Sequence, residues 1–251
     1  MTTHTDERAA SDALADRSEL PPWLWLAFPP LMLALAVLCR AAGSEVFERW
    51  MRTETGVIEL GTIAVLLVAV AAGAALALRR RPFPRPWMRP FLVLATLGCL
   101  FFAGEEASWG QHVFEWSTPE TWARANDQQE TNLHNLTGIG ALLDQLPRNL
   151  LTLAAGVAVA GPLFMRRRRS RGSSRQRRER GLHWLLPTFV CLPSAALALL
   201  VGVPDKVYEV IHDVRSAPEW MDIRSGELKE YYLGLFLMLY VLSLHARLRK
   251  V

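Results

Sequence analysis

Six long runs of uncharged residues set the first limit on how this chain can fold. They cover residues 20–39, 60–78, 90–104, 149–165, 184–203 and 231–244. An α-helix needs about 20 mainly apolar residues to cross a bilayer, and runs of this kind are typical of transmembrane helices rather than of a soluble core. The sequence therefore predicts an all-α integral membrane protein, a six-helix transmembrane bundle with spans over about residues 20–39, 57–78, 88–108, 149–165, 184–203 and 227–246.

The distribution of charge predicts the orientation. The two termini and the loops 79–89 and 166–180 together hold 19 of the 28 Lys and Arg, whereas the other loops hold 18 of the 24 acidic residues. Arg-rich loops remain in the cytoplasm, so we expect both termini on the cytoplasmic side. Arg makes up 25 of the 28 basic residues, and this composition favours a bacterial inner-membrane protein.

The polar segments complete the predicted organisation. Residues 1–19 lack the basic start and cleavage site of a signal peptide, and we predict a flexible cytoplasmic tail there, followed by a membrane domain over residues 20–248. Residues 105–148 form the longest loop on the extracytoplasmic side and are predicted to build a helical cap. Within this loop, residues 136–147 are too short and too rich in glycine to cross, so they suggest a re-entrant or interfacial helix.

Two of the apolar runs are too short to cross a bilayer unaided. The fifteen residues 90–104 reach roughly 22 Å at about 1.5 Å per residue, so the helix should continue into the sequence GEEASWGQHVFEW. The last run has the same shortfall and should begin near Glu227, while Glu59 opens the second span. Carboxylates at such depth usually face the interior of the bundle. We therefore expect Glu59, Glu105, Glu106, Glu227 and Glu230 at one level of the bundle.

Further polar residues recur at helical spacing. Glu105, Ser108 and His112 stand at i, i+3 and i+7 and are predicted to share one helix face. The pairs Glu130–His134 and Glu209–His212 stand at i, i+4 and i, i+3. Carboxylates and imidazoles of this kind bind zinc, iron or manganese, and a bound divalent metal can activate water. The predicted metal ligands are Glu59, Glu105, Glu106, Glu130, His134, Glu227 and Glu230, and the predicted catalytic residues are Glu105, His134 and Ser108.

Three functions fit this pattern. The first is a metal-dependent hydrolase that acts at the extracytoplasmic face on a membrane lipid or a lipid-linked substrate. The second is a scaffold or accessory subunit in which the polar residues only join helices, for example by pairing with Arg49, Arg52 or Arg124. The third is a small cation or proton transporter, which the nearly apolar inner halves of the spans disfavour.

Several other classes are excluded. The chain has no P-loop, no G-x-S-x-G and no H-E-x-x-H sequence. Its net charge of +4 comes from loops beside the membrane and indicates no binding to nucleic acid. The three cysteines lie in apolar runs and suggest no disulfide framework. Protein partners are left open.

The blocks GEEASWGQ and QETNLHNL, with VIEL and ELKE opening two spans, resemble a family of uncharacterised bacterial multi-pass membrane proteins. That family carries a Gly-Glu-Glu-x-Ser-Trp-Gly-Gln block and a later Asn-x-His-Asn block, and the resemblance covers roughly residues 45–245. It implies a multi-pass fold but no particular activity. His112 stands where the family block has Arg. The resemblance singles out Glu59, Glu105, Glu106, Ser108, Gln111, Glu130, His134, Asn135, Glu227 and Glu230.

Overall fold

The computed structural model describes residues 19–53, 56–126, 129–133, 140–168 and 182–249, and within these ranges it contains helices and no strand. A π-helical turn, Trp23–Ala27, precedes the first α-helix. Helical turns of the 3-10 type lie at Ser108–Gly110, Phe189–Cys191 and Glu219–Met221. The described α-helices are α1 (Pro29–Ala42), α2 (Ser44–Met51), α3 (Val57–Ala77), α4 (Met88–Glu106), α5 (Gln111–Phe114), α6 (Glu120–Ala123), α7 (Gly140–Arg168), α8 (Leu182–Leu185), α9 (Leu192–Leu200), α10 (Val203–His212) and α11 (Ser225–Arg249).

Within the described residues, five segments are long and apolar enough to cross a membrane. This confirms the prediction of a helical, multi-pass membrane protein, and α3 matches the predicted span 57–78 to within one residue. The predicted fourth span falls within α7, a helix of 29 residues that is not among the five. A six-span bundle therefore stays a prediction. The five segments are Trp23–Ala42, Val57–Ala77, Met88–Glu106, Phe189–His212 and Glu219–Arg249.

Helix α11 forms the centre of the fold. It packs against α3 and α9, while α4 packs on α3 and α7 packs on α9. A helix that is apolar on all sides is stable only when neighbours surround it, and α11 fits this description. Its buried side chains include Leu228, Tyr232, Leu235 and Leu239, none of which is exposed at all.

Arg224, just before α11, lies 3.7 Å from Glu59 at the start of α3, whereas Arg79, after α3, donates to Leu248 O at the end of α11, so the bundle has two distinct ends. We call the end that holds Glu59 of α3, Glu106 of α4 and Glu227 of α11 the glutamate end. We call the opposite end, which holds Arg79 after α3 and Arg247 of α11, the arginine end. Glu59 and Glu227 both lie near Arg224, and Glu106 interacts electrostatically with Glu59, Glu227 and Glu230, so glutamates of three helices lie close together at this end.

Helix α4 stops at Glu106 because the next residues leave the helical conformation. Ser108, Trp109 and Gly110 all have positive φ angles, of 43°, 54° and 91°. The turn brings the Trp109 ring back against Gly104, where an added Cβ would lie only 2.8 Å from the ring. A glycine at position 104 is therefore needed for this turn.

The structure contradicts two sequence predictions for this region, one about the turn after α4 and one about the start of α7. Since α4 ends at Glu106, the expectation that Glu105, Ser108 and His112 share one helix face is wrong. In the predicted cap, residues 140–148 are the first turns of α7 rather than a separate re-entrant helix, because the helix runs on through Pro147. Residues 134–139 of the cap lie outside the described ranges.

Candidate functional site

The predicted site residues fall into two groups at the glutamate end. We call the first group the clasp, and it consists of Glu105, Ser108, Asn126, Glu130 and Asn132. We call the second group the carboxylate cluster, and it consists of Glu59, Glu106, Glu227 and Glu230 with Arg148 and Arg224. His134, the predicted partner of Glu105, lies outside the described residues.

Three buried side chains form the centre of the clasp. Ser108 Oγ donates a hydrogen bond of 2.5 Å to Glu130 Oε2. Asn132 Nδ2 donates to the same carboxylate oxygen at 2.6 Å and to Ser108 Oγ at 3.0 Å. The exposed fractions are 3% for Ser108, 5% for Glu130 and 1% for Asn132. The serine and the glutamate, which are 22 positions apart, are therefore joined away from bulk water.

Asn126 extends this network along the loop. Its Nδ2 donates to Asn132 O at 3.0 Å and to Asn132 Oδ1 at 2.9 Å. Its Oδ1 accepts the backbone N–H of Glu130 at 3.1 Å. Buried polar networks are stable only when their members are satisfied, and these bonds satisfy the asparagines of the loop.

Glu105 joins the end of α4 to the same loop. Its Oε1 accepts a bond of 2.6 Å from Trp109 Nε1, and its Oε2 accepts the backbone N–H of Leu133 at 2.5 Å. Gln111 Oε1 accepts the backbone N–H of Thr131 at 2.7 Å. Each carboxylate oxygen of Glu105 is thus already engaged by a donor. The geometry of Glu105, Ser108 and Glu130 favours a structural role.

The carboxylate cluster brings together the ends of three helices and two arginines. Arg224 Nη2 lies 2.7 Å from Glu227 Oε1 and 3.7 Å from Glu59 Oε1. Arg148 Nη1 of α7 lies 2.8 Å from Glu230 Oε1 of α11. Arg224 and Glu230 are largely shielded from solvent and Arg148 is about one third exposed, so these ion pairs are screened less than pairs on an open surface.

Glu106 is the exception within the cluster. Glu230, Glu227 and Glu59 all act on it electrostatically, as does the positive charge of Arg148. Within the described part of the chain, however, Glu106 makes no hydrogen bond and no ion pair. Among the described residues, Arg224 pairs with Glu227 and lies near Glu59, Arg148 pairs with Glu230, and Glu106 has no such contact of its own.

An apolar cavity of about 950 Å³ opens beside Glu106. Helices α4 and α7 form its walls and α11 forms its floor, with Leu94, Leu150 and Phe236 as typical lining residues. Polar groups line it at the glutamate end, where Glu105, Glu106 and Arg148 contribute to the wall. It extends toward the arginine end as far as the segment 185–187. The cavity is therefore apolar along its length and charged at one end.

The described residues do not assemble the predicted metal centre. In these parts of the chain, no group of three or more His, Cys, Asp or Glu is placed to hold a metal ion. Six of the seven predicted ligands are instead divided between the clasp, which holds Glu105 and Glu130, and the carboxylate cluster, which holds the other four. Because His134 lies outside the described residues, a metal that involves this histidine stays a hypothesis.

The comparisons add no function from known proteins. No protein-family model, no curated protein and no solved structure matches the chain. The resemblance carried by GEEASWGQ and QETNLHNL thus stays a prediction.

The sequence prediction missed the two arginines that hold the cluster together. Arg52 instead pairs with Glu48 at 2.7 Å, a hydrogen bond that raises the pKa of Arg52 above its usual value. Arg124 pairs with Glu120 on the surface. Arg148 stands one residue before a predicted span and Arg224 three residues before another. This closeness to the ends of spans was the signal in the sequence that could have identified them as partners of the glutamates.

The second predicted Glu–His pair forms no site. Glu209 Oε2 forms an ion pair with Lys206 Nζ at a distance of 2.7 Å. The ring of His212 lies against Tyr208, with 4.2 Å between ring centroids. These contacts lie within α10, and the pair takes no part in the clasp or the carboxylate cluster.

Proposed function

We propose that this is a multi-pass bacterial inner-membrane protein that binds a membrane lipid or lipid-linked substrate and hydrolyses it at the extracytoplasmic face. In this proposal α7 is the sixth span, both termini are cytoplasmic, and the glutamate end faces outward. The observation that carries the proposal is that Glu106, a carboxylate without an ion-pair partner among the described residues, lines the charged end of an apolar cavity.

The shape of the cavity supports a chain-like apolar ligand. Its volume of about 950 Å³ lies near the upper end of the range, about 300–1,000 Å³, that is usual for ligand pockets. Along α4 it extends from Phe91 to Glu106, which is about 22 Å at roughly 1.5 Å per residue. An extended acyl or isoprenoid chain fits this shape, with its polar group at Glu106 and Arg148.

The surroundings of Glu106 suit acid–base chemistry. A carboxylate that makes no direct bond to an arginine is freer to take up or release a proton than one held in an ion pair. In the proposed reaction Glu106 removes a proton from water while the water oxygen bonds to the carbonyl carbon or phosphorus of the ester. The ester bond breaks, and the leaving oxygen receives the proton from Glu106. Arg148 is placed to bind the negatively charged group of the substrate.

Lipid turnover by the full chain tests this function. We would reconstitute the purified protein into vesicles of total bacterial lipid in ¹⁸O-labelled water and follow the lipids by mass spectrometry. The expected result is a product that gains one ¹⁸O with the wild type and is lost with Glu106→Gln. Glu45→Gln, which changes an exposed glutamate at the same end, is the matched control and should leave the product unchanged.

The same experiment separates the steps of the proposal. If Glu106→Gln folds normally and still forms the labelled product, Glu106 is not the acid–base residue. If the wild type retains co-purified lipid but forms no product, the protein is a lipid-binding protein and not a hydrolase. Elemental analysis of the same preparation tests the metal-dependent version, which predicts close to one bound zinc, iron or manganese per chain.

A second candidate function is a non-catalytic scaffold or accessory subunit. The clasp favours it, because Ser108, Glu130 and Asn132 bond to one another and are not among the residues that line the first cavity. Transport receives less support. The hydroxyls of Thr62, Thr96 and Ser194 each donate to a carbonyl of a nearby turn, so they offer no polar path along the spans.

A further inference from the structure

A second cavity, of about 700 Å³, lies at the glutamate end and is separate from the first. It is bounded by the end of α1, the start of α2, the start of α10 and the segment 219–223. Its wall carries charged side chains, Arg40, Asp205 and Glu219, beside the apolar Val37 and Trp220. None of these residues belongs to the clasp or the carboxylate cluster.

Arg40 is the unusual residue of this cavity. Only 8% of its side chain is exposed. Its Nε donates to Asp222 O at 2.7 Å, and its guanidinium lies 3.8 Å from the centre of the Phe47 ring. Its Nη2 is buried and has no hydrogen-bond partner among the described residues.

The acidic side chains nearby do not satisfy this nitrogen. The closest carboxylate oxygen to Nη2, Asp222 Oδ2, is 3.7 Å away, and Glu219 Oε1 is 3.7 Å from Nη1. Both distances exceed the range of a hydrogen bond. A buried charged donor that lacks an acceptor is costly, so the geometry of Arg40 is that of a group prepared for an external acceptor. Phosphate oxygens suit a guanidinium fork best.

The charges of the wall specify the ligand further. Asp222 already offsets the charge of Arg40, and Asp205 and Glu219 add two carboxylates. A ligand that carried only negative charge would be repelled by these two groups. A phosphate that is joined to an ammonium group suits both Arg40 and the two carboxylates, because the phosphate can lie on Arg40 while the ammonium lies toward the carboxylates.

The apolar part of the wall indicates that this ligand is a lipid. Val37 is 47% exposed and Trp220 is 70% exposed, and both lie beside Arg40. Tryptophan is enriched where a protein meets the membrane–water interface. We propose that this cavity binds the head group of a zwitterionic phospholipid of the phosphoethanolamine class, with the phosphate on Arg40 and the ammonium toward Glu219 and Asp205. This inference does not depend on the proposed hydrolysis.

Lipid binding measured by native mass spectrometry tests the site. The purified full chain would be exposed to equal amounts of phosphatidylethanolamine, phosphatidylglycerol and phosphatidylcholine. Losing a hydrogen bond to a charged group weakens binding by about tenfold or more. We expect phosphatidylethanolamine to bind most tightly, and Arg40→Gln to weaken it by about that factor. Arg52→Gln is the matched control, because Arg52 also pairs with Asp222 but does not line the cavity.

A second variant keeps the test valid if Arg40→Gln fails to fold. Glu219 is 69% exposed, so Glu219→Gln should fold, and it should reduce the preference for phosphatidylethanolamine over phosphatidylglycerol. Soluble phosphoethanolamine that displaced the lipid fully at low concentration would show that the site serves a free metabolite. Equal binding of the three lipids by the wild type, or equal effects of Arg40→Gln and Arg52→Gln, would overturn the proposal.

Discussion

Arg148 Nη1 of α7 lies 2.8 Å from Glu230 Oε1 of the central helix α11. The glutamate side chain is only 7% exposed and the arginine 35%, so the pair is shielded on one side and open to the cavity on the other. It bridges α7 and α11 at the glutamate end and also forms part of the cavity wall. One ion pair thus contributes both to the fold and to the proposed ligand site.

This pair predicts a loss of stability when the arginine is removed. Arg148→Gln leaves Glu230 buried beside Glu106 without its main cation, and the free energy of unfolding should fall by about 2–4 kcal/mol. Thermal unfolding in detergent measures the change. The double variant Arg148→Gln/Glu230→Gln should recover part of the loss, since it also removes the unpaired charge.

Arg124→Gln is the control for this prediction. Arg124 pairs with Glu120 on the surface, and exposed pairs contribute about 0–1 kcal/mol. Equal melting temperatures for Arg148→Gln and the wild type would mean that the pair between α7 and α11 does not hold the two helices together.

The clasp predicts that Ser108 contributes to stability and not to catalysis. Ser108→Ala removes the hydroxyl that Glu130 and Asn132 share, and losing such a buried bond costs about 1–3 kcal/mol. Lipid turnover should stay within about twofold of the wild type once the variant is folded. The two readouts are thermal unfolding and the ¹⁸O product described above. A stable Ser108→Ala protein that forms no product would instead assign Ser108 to the reaction.

The level of the glutamates was predictable from the sequence because it depends only on chain length. Fifteen apolar residues before Glu105 cannot cross a bilayer, so the acids after them had to lie at its boundary. The same counting placed Glu227 at the start of the last span. Both residues lie at the glutamate end.

The partners within the site were not predictable because they depend on backbone conformation. Ser108 and Trp109 adopt positive φ angles, which residues other than glycine rarely do, so the end of α4 at Glu106 could not be predicted from the residue types. Arg224 has a φ of 55° directly before α11, and this turns its side chain toward Glu59 and Glu227. Contacts of this kind arise from tertiary packing, and the pattern of charges along the chain does not reveal them.

The distribution of arginine predicts which end of the bundle faces outward. Val113 is 77% exposed at the glutamate end, and Pro86 is exposed in the loop between α3 and α4 at the other end. With Cys39 replaced, Val113→Cys should react with a membrane-impermeant maleimide in intact cells, and Pro86→Cys should react only after the membrane is opened. The opposite labelling pattern would place the glutamate end in the cytoplasm and rule out an extracytoplasmic reaction.

The cavity between α4 and α7 predicts that a single added side chain can block ligand binding. Gly98 lines this cavity, and a Cβ added there meets no atom within 4 Å. Gly98→Phe should therefore leave the packing of α4 intact while its ring occupies the cavity. Forcing a ligand to overlap extra atoms costs about 1–3 kcal/mol, which is about 5- to 150-fold in affinity. Native mass spectrometry of co-purified lipid measures the loss.

Gly156→Phe provides the matched control for the blocked cavity. Gly156 also has no atom within 4 Å of an added Cβ, but it does not line the cavity. The same apolar ring is therefore added to a helix of the bundle without entering the proposed site, and lipid retention should equal that of the wild type. If both variants lost lipid equally, the retained lipid would lie on the general surface of the bundle, and the cavity beside Glu106 would have no selective occupant.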